Sequence, residues 1–347
     1  MVTVLHILNT SSFSGAENVA ITIIEGFKAT HADIRSVYVS LDGSIRDVLE
    51  KRGIEFEPIA KLSRREIRRV IRKYRPDVIH AHDFTASIIS ALSTFRIPVI
   101  SHIHNNSPWL KKVGKNSLVY GLSCLRYKKM LGVSPSVFDE FVFGGLFKRK
   151  SQVIGNPVST ASIVERAALA ERREGYDVVF IGRLSEAKNP KLFVDVIDEI
   201  RKRCPVRAVM LGDGEMRGEI EAQIEEKGLG DVITLGGFVD NPYGILSESR
   251  LLLMTSSWEG YGLVAVEALS LGKPVVATRV GGIPTIVEKG SGFLCDTEDG
   301  LIDSAVKLLT DSALYEVTSH AALERSHEID NLDGYIENLN TIYRGMK

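Results

Sequence analysis

Residues 256–269 read Ser256-Ser257-Trp258-Glu259-Gly260-Tyr261-Gly262-Leu263-Val264-Ala265-Val266-Glu267-Ala268-Leu269. This stretch lies between two short apolar runs, Arg250–Met254 and Pro274–Ala277, which have the composition of buried strands. A glycine-rich turn followed by an apolar helix between two such strands is typical of a parallel α/β sheet. The stretch therefore predicts a doubly wound sheet in this part of the chain.

Two glutamates in the same stretch point to a ligand. Glu267 is surrounded by apolar residues, so its helix reads as buried, and a buried carboxylate is costly unless it is paired or hydrogen-bonded. Glu259 precedes the helix start, where the N–H groups of Tyr261, Gly262 and Leu263 would be available to an anion. A phosphate cradle flanked by two hydroxyl acceptors suits a nucleotide sugar.

Short apolar runs alternate with helical patterns along the whole chain. Seven predicted strands precede residue 155: Val2–Leu8, Ile34–Val39, Ile54–Ile59, Asp77–Ala81, Pro98–Ile103, Met130–Val133 and Gln152–Ile154. Six follow residue 176: Asp177–Ile181, Val206–Leu211, Val232–Leu235, Arg250–Met254, Pro274–Ala277 and Gly292–Leu294. This alternation predicts two Rossmann-like domains that face each other across a cleft and bind ligands at the carboxyl ends of their strands.

The break between the two series places the domain boundary. Gly155-Asn156-Pro157 interrupts the pattern, and the polar stretch Glu165–Asp177 follows it. We therefore expect a linker near residues 155–176, whose hinge could lie at Asn156, with domains at 1–155 and 156–330. Residues 331–347 form a closing segment, which is helical over Leu332–Tyr343.

Composition is that of an ordinary soluble globular protein, with 25% charged and 44% hydrophobic residues among 347. No apolar run approaches the roughly 20 residues that span a bilayer. The chain begins with an apolar, strand-like run rather than a signal peptide. Cys124, Cys204 and Cys295 are far apart and have no metal-binding spacing, which indicates buried thiols in a reducing compartment. These features predict a cytoplasmic location.

Charge is distributed unevenly. Residues 1–157 hold 23 Lys and Arg against 13 Asp and Glu, whereas the remainder holds 20 against 31. A basic half predicts an anionic partner such as a phospholipid surface or a lipid diphosphate; solvated helices that carry Lys and Arg are the alternative. Trp109–Tyr120 interleaves apolar, aromatic and Lys residues, as interfacial segments do, whereas the apolar side of Arg64–Lys73 is typical of a core face. We expect a peripheral protein on the inner face of the cell membrane and no nucleic-acid partner.

Two loops carry further candidates. Arg183 and Lys188 follow the first strand of the second domain, where two cations can neutralise a diphosphate leaving group; a solvated surface loop is the alternative. Asn9–Glu17 follows the first strand of the first domain, and Gly15 would allow a ligand to approach the backbone closely. The same loop is also a good turn and capping sequence.

The stretch Leu211–Gly218 imitates a dinucleotide-binding fingerprint. Asp213 and Glu215 would place negative charge where a pyrophosphate lies, and no acidic residue follows at the end of the next strand. The stretch therefore predicts a strand, a turn and a helix capped by Asp213.

Four histidines end two neighbouring predicted strands: His80, His82, His102 and His104. Strand periodicity puts each pair on one face, so a metal cluster is one possibility, but only Asp83 and no cysteine would support it. His104 lies at the outermost strand end and is the one we expect to touch a ligand. We expect no metal and no tightly bound cofactor, because the chain has no DxD sequence to hold a metal–diphosphate and no Walker loop.

These motifs together resemble a known family. The patterns are Ser256-x-x-Glu259-Gly-Tyr-Gly262-Leu-x-x-x-Glu267-Ala, Gly272-Lys-Pro274, Gly281-Gly282-Ile-Pro284, Gly182-Arg183-Leu-x-x-x-Lys188-Asn189, Gly237-Phe238-Val239 and Gly15-Ala-Glu17. They resemble the retaining GT-B glycosyltransferases of family 4, the group 1 glycosyltransferases, over nearly the whole chain. The first domain departs from the family pattern at Ser14, where a second glycine is common.

The resemblance implies a role for each charged candidate. Arg183 and Lys188 would hold the diphosphate of the donor. Glu267 would accept hydrogen bonds from the ribose hydroxyls, and Glu259 from hydroxyls of the transferred sugar. His104 matches the first-domain histidine that faces the donor sugar.

The remaining candidates are implied by the same resemblance. Phe238 lies where the family holds the base, and the terminal helix would cross back onto the first domain. Three residues would supply backbone amides to the donor: Tyr261, Gly262 and Leu263.

Taken together, the motifs predict an enzyme that transfers a hexosyl or N-acetylhexosaminyl unit from a UDP-linked sugar with retention of configuration. The acceptor would be a lipid-linked saccharide in exopolysaccharide, capsule or O-antigen synthesis. The alternatives are a nucleotide-sugar epimerase or a phosphorylase on the same fold, and a non-catalytic nucleotide-sugar-binding subunit.

Overall fold

The computed structural model describes residues 1–12, 15–170 and 175–346, and its chain divides into two compact units. The first unit contains Met1–Pro157 and Asn331–Lys347, and the second contains Val158–Asp330. Each unit has one parallel sheet with helices in the crossover connections.

The first unit has a seven-stranded sheet in the order β3-β2-β1-β4-β5-β6-β7. Its elements before residue 157 are β1 (Val2–Ile7), α1 (Gly15–Thr30), β2 (Ile34–Leu41), α2 (Ile45–Lys51), β3 (Phe56–Ile59), α3 (Arg64–Tyr74), β4 (Val78–His82), α4 (Asp83–Ser93), β5 (Val99–Ile103), α5 (Lys115–Cys124), β6 (Lys129–Gly132), α6 (Ser136–Asp139) and β7 (Ser151–Val153). Short 3-10 helices span Pro108–Lys111 and Gly144–Phe147. The strand order reverses between β1 and β4, which makes their carboxyl ends the switch point of this sheet.

The second unit has a six-stranded sheet in the order β10-β9-β8-β11-β12-β13. Its elements are α7 (Thr160–Ala168), β8 (Val178–Ile181), α8 (Pro190–Arg201), β9 (Ala208–Leu211), α9 (Arg217–Glu226), β10 (Ile233–Gly237), α10 (Tyr243–Ser247), β11 (Leu251–Met254), α11 (Leu263–Ser270), β12 (Val275–Thr278), β13 (Gly292–Cys295), α12 (Glu298–Thr310) and α13 (Ser312–Ile329). The switch point of this sheet lies between β8 and β11.

The central strands are short and apolar because helices cover both faces of each sheet. Every residue of β4, β5, β9 and β11 is buried. Strands buried on both faces read as continuous apolar runs, which is why the sequence shows them clearly. Each fully buried Val, Leu or Ile side chain contributes about 1.5–3 kcal/mol. The predicted fold class is confirmed, and all thirteen predicted strands occur, with ends that differ by no more than two residues.

The predicted linker is partly wrong. Helix α7 occupies much of residues 155–176, begins after the cap Ser159, and packs against α10 and α11. Of the polar residues that suggested a linker, Glu165 is exposed on this helix and Arg166 packs against α10, while residues 171–174 lie outside the described residues. The division between units falls at Pro157 and again at Asp330.

The chain ends with helix α14 (Leu332–Arg344), which belongs to the first unit and packs against α1. Tyr343 of α14 stacks on Phe27 of α1, with ring centres 5.2 Å apart. A side chain at Gly26 would lie 2.6 Å from Ile336, so glycine permits the close approach of the two helices. None of the helices in the described part of the chain has the length and apolarity needed to cross a bilayer.

Candidate active site

The switch point of the second sheet brings together the loops that follow β8 and β11. The N–H of Ser257 donates to the carbonyl of Ala187 at 2.9 Å, and the Thr255 hydroxyl lies 3.2 Å from the carbonyl of Lys188 and 3.0 Å from that of Asn189. These bonds hold the two loops side by side because β8 and β11 are hydrogen-bonded neighbours. Residues that are about 70 positions apart in sequence thereby become adjacent.

Lys188 and Glu259 form an ion pair at this junction. Their side chains are only 24% and 14% exposed, so the pair is largely removed from water. A lysine ammonium has three donors, so Lys188 can hold Glu259 and still donate to an anionic ligand. The structure thus brings a predicted diphosphate ligand and a predicted sugar ligand into direct contact.

Helix α11 begins beside this pair. Gly262 adopts a left-handed conformation with φ of 101°, which turns the chain into the helix and favours glycine. The carbonyl of Gly262 accepts from the N–H groups of Ala265 and Val266, so the first-turn amide of Leu263 precedes the first intrahelical donor. Such a helix start carries partial positive charge. Tyr261, next to it, is 8% exposed.

Glu267 has a protein partner that the sequence does not reveal. The hydroxyl of Tyr243, in α10, donates to Glu267 Oε1 at 3.0 Å. The guanidinium of Arg166, in α7, lies 4.6 Å from the centre of the Tyr243 ring, and Asn241 holds the carbonyl of Arg166 at 2.8 Å. Burial raises the pKa of Glu267, and the bond from Tyr243 opposes that rise. Helix α10 therefore donates a hydrogen bond to the Glu267 carboxylate, and α7 packs against the tyrosine that donates it.

Arg183 stands at the exposed rim of the same loop. Its Nε lies 3.0 Å from Glu215 Oε2, and the two side chains are 73% and 58% exposed. An ion pair this exposed contributes little stability, so an anionic ligand can replace Glu215 as the partner of Arg183.

The predicted capping role of Asp213 is wrong. Its carboxylate accepts from the N–H of Gly214 at 2.7 Å, and α9 begins after Met216, whose side chain makes no capping bond. The tight turn arises at Gly212, where a Cβ would lie 1.9 Å from the carbonyl oxygen of Gly182. The first residue of α9, Arg217, thus lies four residues beyond Asp213.

Phe238 and Gly15 are less involved in these contacts. Phe238 follows the edge strand β10, is 67% exposed and makes no ring contact within the described residues. Gly15 is exposed at the start of α1, and a Cβ there would meet nothing within 4 Å. Crowding by the protein itself therefore does not require glycine at this position. Two residues of the predicted Asn9–Glu17 loop, Phe13 and Ser14, lie outside the described residues.

The switch point of the first sheet holds a pocket with a volume of about 240 Å³. Its polar lining includes Glu17, His82 and Asp83. Asp83 has φ of 64°, a strained conformation for a residue other than glycine, and its Oδ1 accepts from the backbone N–H of His104 at 3.0 Å. Burial raises the pKa of Asp83 to about 7. Glu17 is buried and accepts from Thr10 at 2.5 Å.

Histidines of three adjacent strands meet beside this pocket. The four histidines predicted from the sequence are joined by His6 of β1, which the sequence did not indicate. The parallel register of the strands places His6 beside His80 and His82 beside His102. Four of the five are fully buried, and His104 is half-buried. Burial lowers the pKa of every one of them, to about 3 at His6 and His104, so all five rings are neutral at physiological pH.

Two overlapping groups of these rings have nitrogens within 4.8 Å of one another, close enough to share a metal ion: His6, His80 and His82, and His82, His102 and His104. The measured N···N separations are 3.2 Å for His6–His82, 3.0 Å for His80–His102 and 2.9 Å for His82–His104. Two nitrogens on one tetrahedral zinc ion would be about 3.3 Å apart. All three separations lie within hydrogen-bonding range, so neighbouring imidazoles can donate to one another.

The predicted interfacial segment Trp109–Tyr120 is divided between core and surface. Tyr120 is 1% exposed and belongs to the core, whereas Trp109 is half-buried and packs on Phe84 with ring centres 4.6 Å apart. Exposed apolar residues occur just before, on and just after α5 and on the 3-10 helix Gly144–Phe147: Val113, Leu118, Val119, Leu122, Leu125 and Leu146. We call this set the α5 patch. Of these, Leu118, Leu122, Leu125 and Leu146 line one open groove. The apolar face of α3 is in the core, as its Ile67 and Val70 show.

Comparison with known proteins identifies the family. Residues 162–325 match the family of glycosyl transferases group 1, and residues 13–162 match glycosyltransferase family 4. The chain belongs to the group 1 glycosyltransferases. The family prediction made from the sequence motifs is therefore confirmed.

The relatives of this group 1 glycosyltransferase have varied names. N-acetyl-alpha-D-glucosaminyl L-malate synthase of Bacillus anthracis is 30% identical over 48% of this chain and 44% of that protein. The lipopolysaccharide core biosynthesis glycosyltransferase LpsD of Rhizobium meliloti is 28% identical over 74% of this chain and 71% of that protein. The match spans less than half the length of the first of these relatives.

Solved structures show that the fold is GT-B. Anabaena HepE in complex with UDP and glucose matches 99% of this chain and 100% of its own, with a TM-score of 0.86 and 21% identity. Staphylococcus aureus TarM in complex with UDP matches 99% of both chains with a TM-score of 0.79 and 14% identity.

Proposed function

We propose that this protein transfers a glycosyl unit from a UDP-linked sugar to a lipid-linked saccharide with retention of configuration. The observation that carries the proposal is the junction of Lys188, Glu259 and the start of α11 at the switch point of the second sheet. It combines a cation and a helix start, which suit a diphosphate, with a carboxylate, which suits sugar hydroxyls.

The diphosphate is the leaving group of the proposed reaction. Negative charge builds up on it as the glycosidic bond breaks, and Lys188, Arg183 and the first-turn amides of α11 would stabilise that charge. These groups supply the positive charge that a metal ion provides elsewhere, so we propose a metal-independent reaction. The leaving phosphate would take the proton of the acceptor hydroxyl, as the family resemblance implies, so no separate general base is required.

The nucleoside would be held by Glu267. Its Oε1 already accepts from Tyr243, and each carboxylate oxygen has a second lone pair for a ribose hydroxyl. Phe238 would contact the base from the end of β10. Solved structures of Anabaena HepE hold UDP and glucose in one case and UDP-glucose in another. These complexes support a UDP-linked donor for the present protein.

Replacing Glu267 tests the donor site. Glu267→Ala should abolish transfer and weaken nucleotide binding, measured by product formation and by titration calorimetry with UDP. Wild-type activity in this variant would refute the assignment. A thermal-shift screen of nucleotide sugars on the wild-type protein would identify the donor.

Incubation of the donor alone separates the alternatives. A transferase hydrolyses the donor slowly at most, whereas an epimerase converts it to the isomeric sugar. A non-catalytic subunit would bind the donor and turn over nothing with any membrane extract. Conversion of the donor to the isomeric sugar, or binding of the donor with no turnover, would refute the proposed transfer reaction.

A lipid-linked acceptor requires contact with a membrane, and the α5 patch provides a surface for it. Residues 109–150 contain nine Lys and Arg but only two acidic residues, and Lys112, Lys115 and Lys148 of this segment are exposed. Exposed leucines in a segment rich in basic residues are typical of surfaces that bind anionic bilayers. We propose that the protein is cytoplasmic and peripheral on the inner face of the cell membrane.

Sedimentation with vesicles that contain anionic phospholipid tests the membrane contact. Leu122 lies on α5 and is 68% exposed, so the Leu122→Glu variant should lose most of its vesicle binding. Val317, 70% exposed on α13 in the second unit, provides the matched control, because Val317→Glu should bind as the wild type does. Absence of wild-type binding at low salt would refute the membrane proposal without affecting the donor site.

A further inference from the structure

The five histidines form two separate hydrogen-bonded chains. One runs from Tyr343 through His80 to His102, with Tyr343 Oη 2.6 Å from His80 Nδ1 and His80 Nε2 3.0 Å from His102 Nδ1. The other runs from His6 through His82 to His104, with His6 Nδ1 3.2 Å from His82 Nε2 and His82 Nδ1 2.9 Å from His104 Nε2.

A chain of neutral imidazoles has only two arrangements of its protons. Each neutral ring has one N–H and one lone pair, so every bond in the chain must point the same way. In the chain that ends at His104, either all three rings carry the proton on Nδ1 or all three carry it on Nε2. The tautomer of His104 is therefore tied to that of His82 and, through it, to that of His6.

The ends of this chain favour one arrangement. His6 Nε2 and His104 Nδ1 are both covered and have no hydrogen-bond partner among the described residues. A proton on His6 Nε2 would be an unpaired N–H at a residue with no exposed surface. His104 is half-buried and the next residue, Asn105, lines the pocket, so a small rearrangement of the His104 ring can bring a proton on its Nδ1 within reach of a ligand oxygen.

We propose that His6 and His82 are positioning residues that fix His104 in its Nδ1–H tautomer, so that His104 offers a hydrogen-bond donor to a ligand oxygen. The proposal rests on the proposed function only for the identity of that oxygen, which would be a sugar hydroxyl. The backbone N–H of His104 is held by Asp83, so the residue is oriented at both its main chain and its ring.

The tautomer can be read directly in the whole protein without any ligand. Long-range 1H–15N correlation spectra of protein labelled with 15N at its eight histidines distinguish Nδ1–H from Nε2–H rings, and single substitutions assign the signals. We expect a Nδ1–H pattern for His104 in the wild type. A Nε2–H pattern would overturn the proposal, whether or not any variant folds.

Substitutions at His82 test whether the chain sets the tautomer. His82→Leu should remove the constraint and change the His104 pattern, whereas His82→Asn should keep Nδ1–H, because its amide can donate from near the position of Nδ1. Tyr343→Phe is the matched control, since it perturbs the other chain and should change only the signals of His80 and His102. An unchanged His104 pattern in His82→Leu would refute a positioning role. A stoichiometric transition metal bound in the purified protein would also refute the positioning role of His82.

Kinetics with the sugar donor then connect the tautomer to activity. His82→Leu should reduce kcat/KM about tenfold, as expected for one misoriented hydrogen bond, and His82→Asn should recover most of it. An unreduced kcat/KM in a folded His82→Leu variant would refute the functional part of the proposal. A wild-type protein that shows the Nδ1–H pattern but transfers no sugar would refute the proposed function and leave the tautomer assignment intact.

Discussion

The hydroxyl of Tyr243 provides the sharpest test of the donor site. Tyr243→Phe removes one oxygen atom and leaves the ring under Arg166, so the contact between α7 and α10 is retained. What is lost is the 3.0 Å hydrogen bond to Glu267 Oε1. A hydrogen bond to a charged group contributes about 1.5–3 kcal/mol, and part of that would be recovered by water. We expect UDP to bind about tenfold more weakly, which corresponds to about 1.4 kcal/mol.

The same substitution should change the pH dependence of binding. Burial raises the pKa of Glu267, and the Tyr243 bond lowers it, so Tyr243→Phe raises the pKa further. The carboxylate would then take up a proton at a less acidic pH and lose acceptor capacity for the ribose. The fall in UDP affinity at acidic pH should therefore begin at a higher pH in the variant than in the wild type. Titration calorimetry at a series of pH values measures this shift.

A double-mutant cycle separates this mechanism from a general loss of packing. In a Glu267→Gln background, Tyr243→Phe should have little further effect on UDP affinity, because the charged acceptor is already absent. Tyr176→Phe is a matched control, since Tyr176 also lies under an arginine, Arg207 at 5.5 Å, and should bind UDP as the wild type does. An equal loss in both backgrounds, or an affinity within twofold of wild type, would refute the reasoning.

Three further predictions follow from the other contacts. Because the pKa of Asp83 is raised from 3.8 to about 7, the unfolded state loses this proton first, and the free energy of unfolding should fall by up to about 4 kcal/mol as the pH rises from about 4 to about 7. Asp83→Asn, which keeps an acceptor for His104, should flatten that profile in denaturant titrations; an unchanged slope would contradict the pKa. Gly262→Ala should lower the free energy of unfolding by about 1–3 kcal/mol, because alanine is strained at φ of 101°, and an unchanged melting curve would argue against this conformation. Arg183→Ala should change stability by less than about 1 kcal/mol because its pair with Glu215 is exposed, yet it should weaken UDP binding; the reverse pattern would show a structural role.

Much of the fold follows from the sequence because it depends on local patterns. Strands buried on both faces appear as short apolar runs, and the crossover helices between them force the parallel arrangement. The meeting of Lys188 and Glu259 is predictable for the same reason: each follows a strand, and carboxyl ends of parallel strands share one edge of the sheet. The linker prediction missed α7 because this helix is short and its buried residue is Thr160, so burial leaves no clear apolar stripe in its sequence.

The sequence by itself determined the strands, the loops at their carboxyl ends and the candidate charges in those loops. Only the tertiary structure decided which side chains support them. Tyr243 and Arg166 reach Glu267 from separate helices, and the five histidines come together through the register of three strands. Periodicity and turn chemistry act between neighbouring residues, whereas these partners are chosen by how whole helices and strands pack against one another.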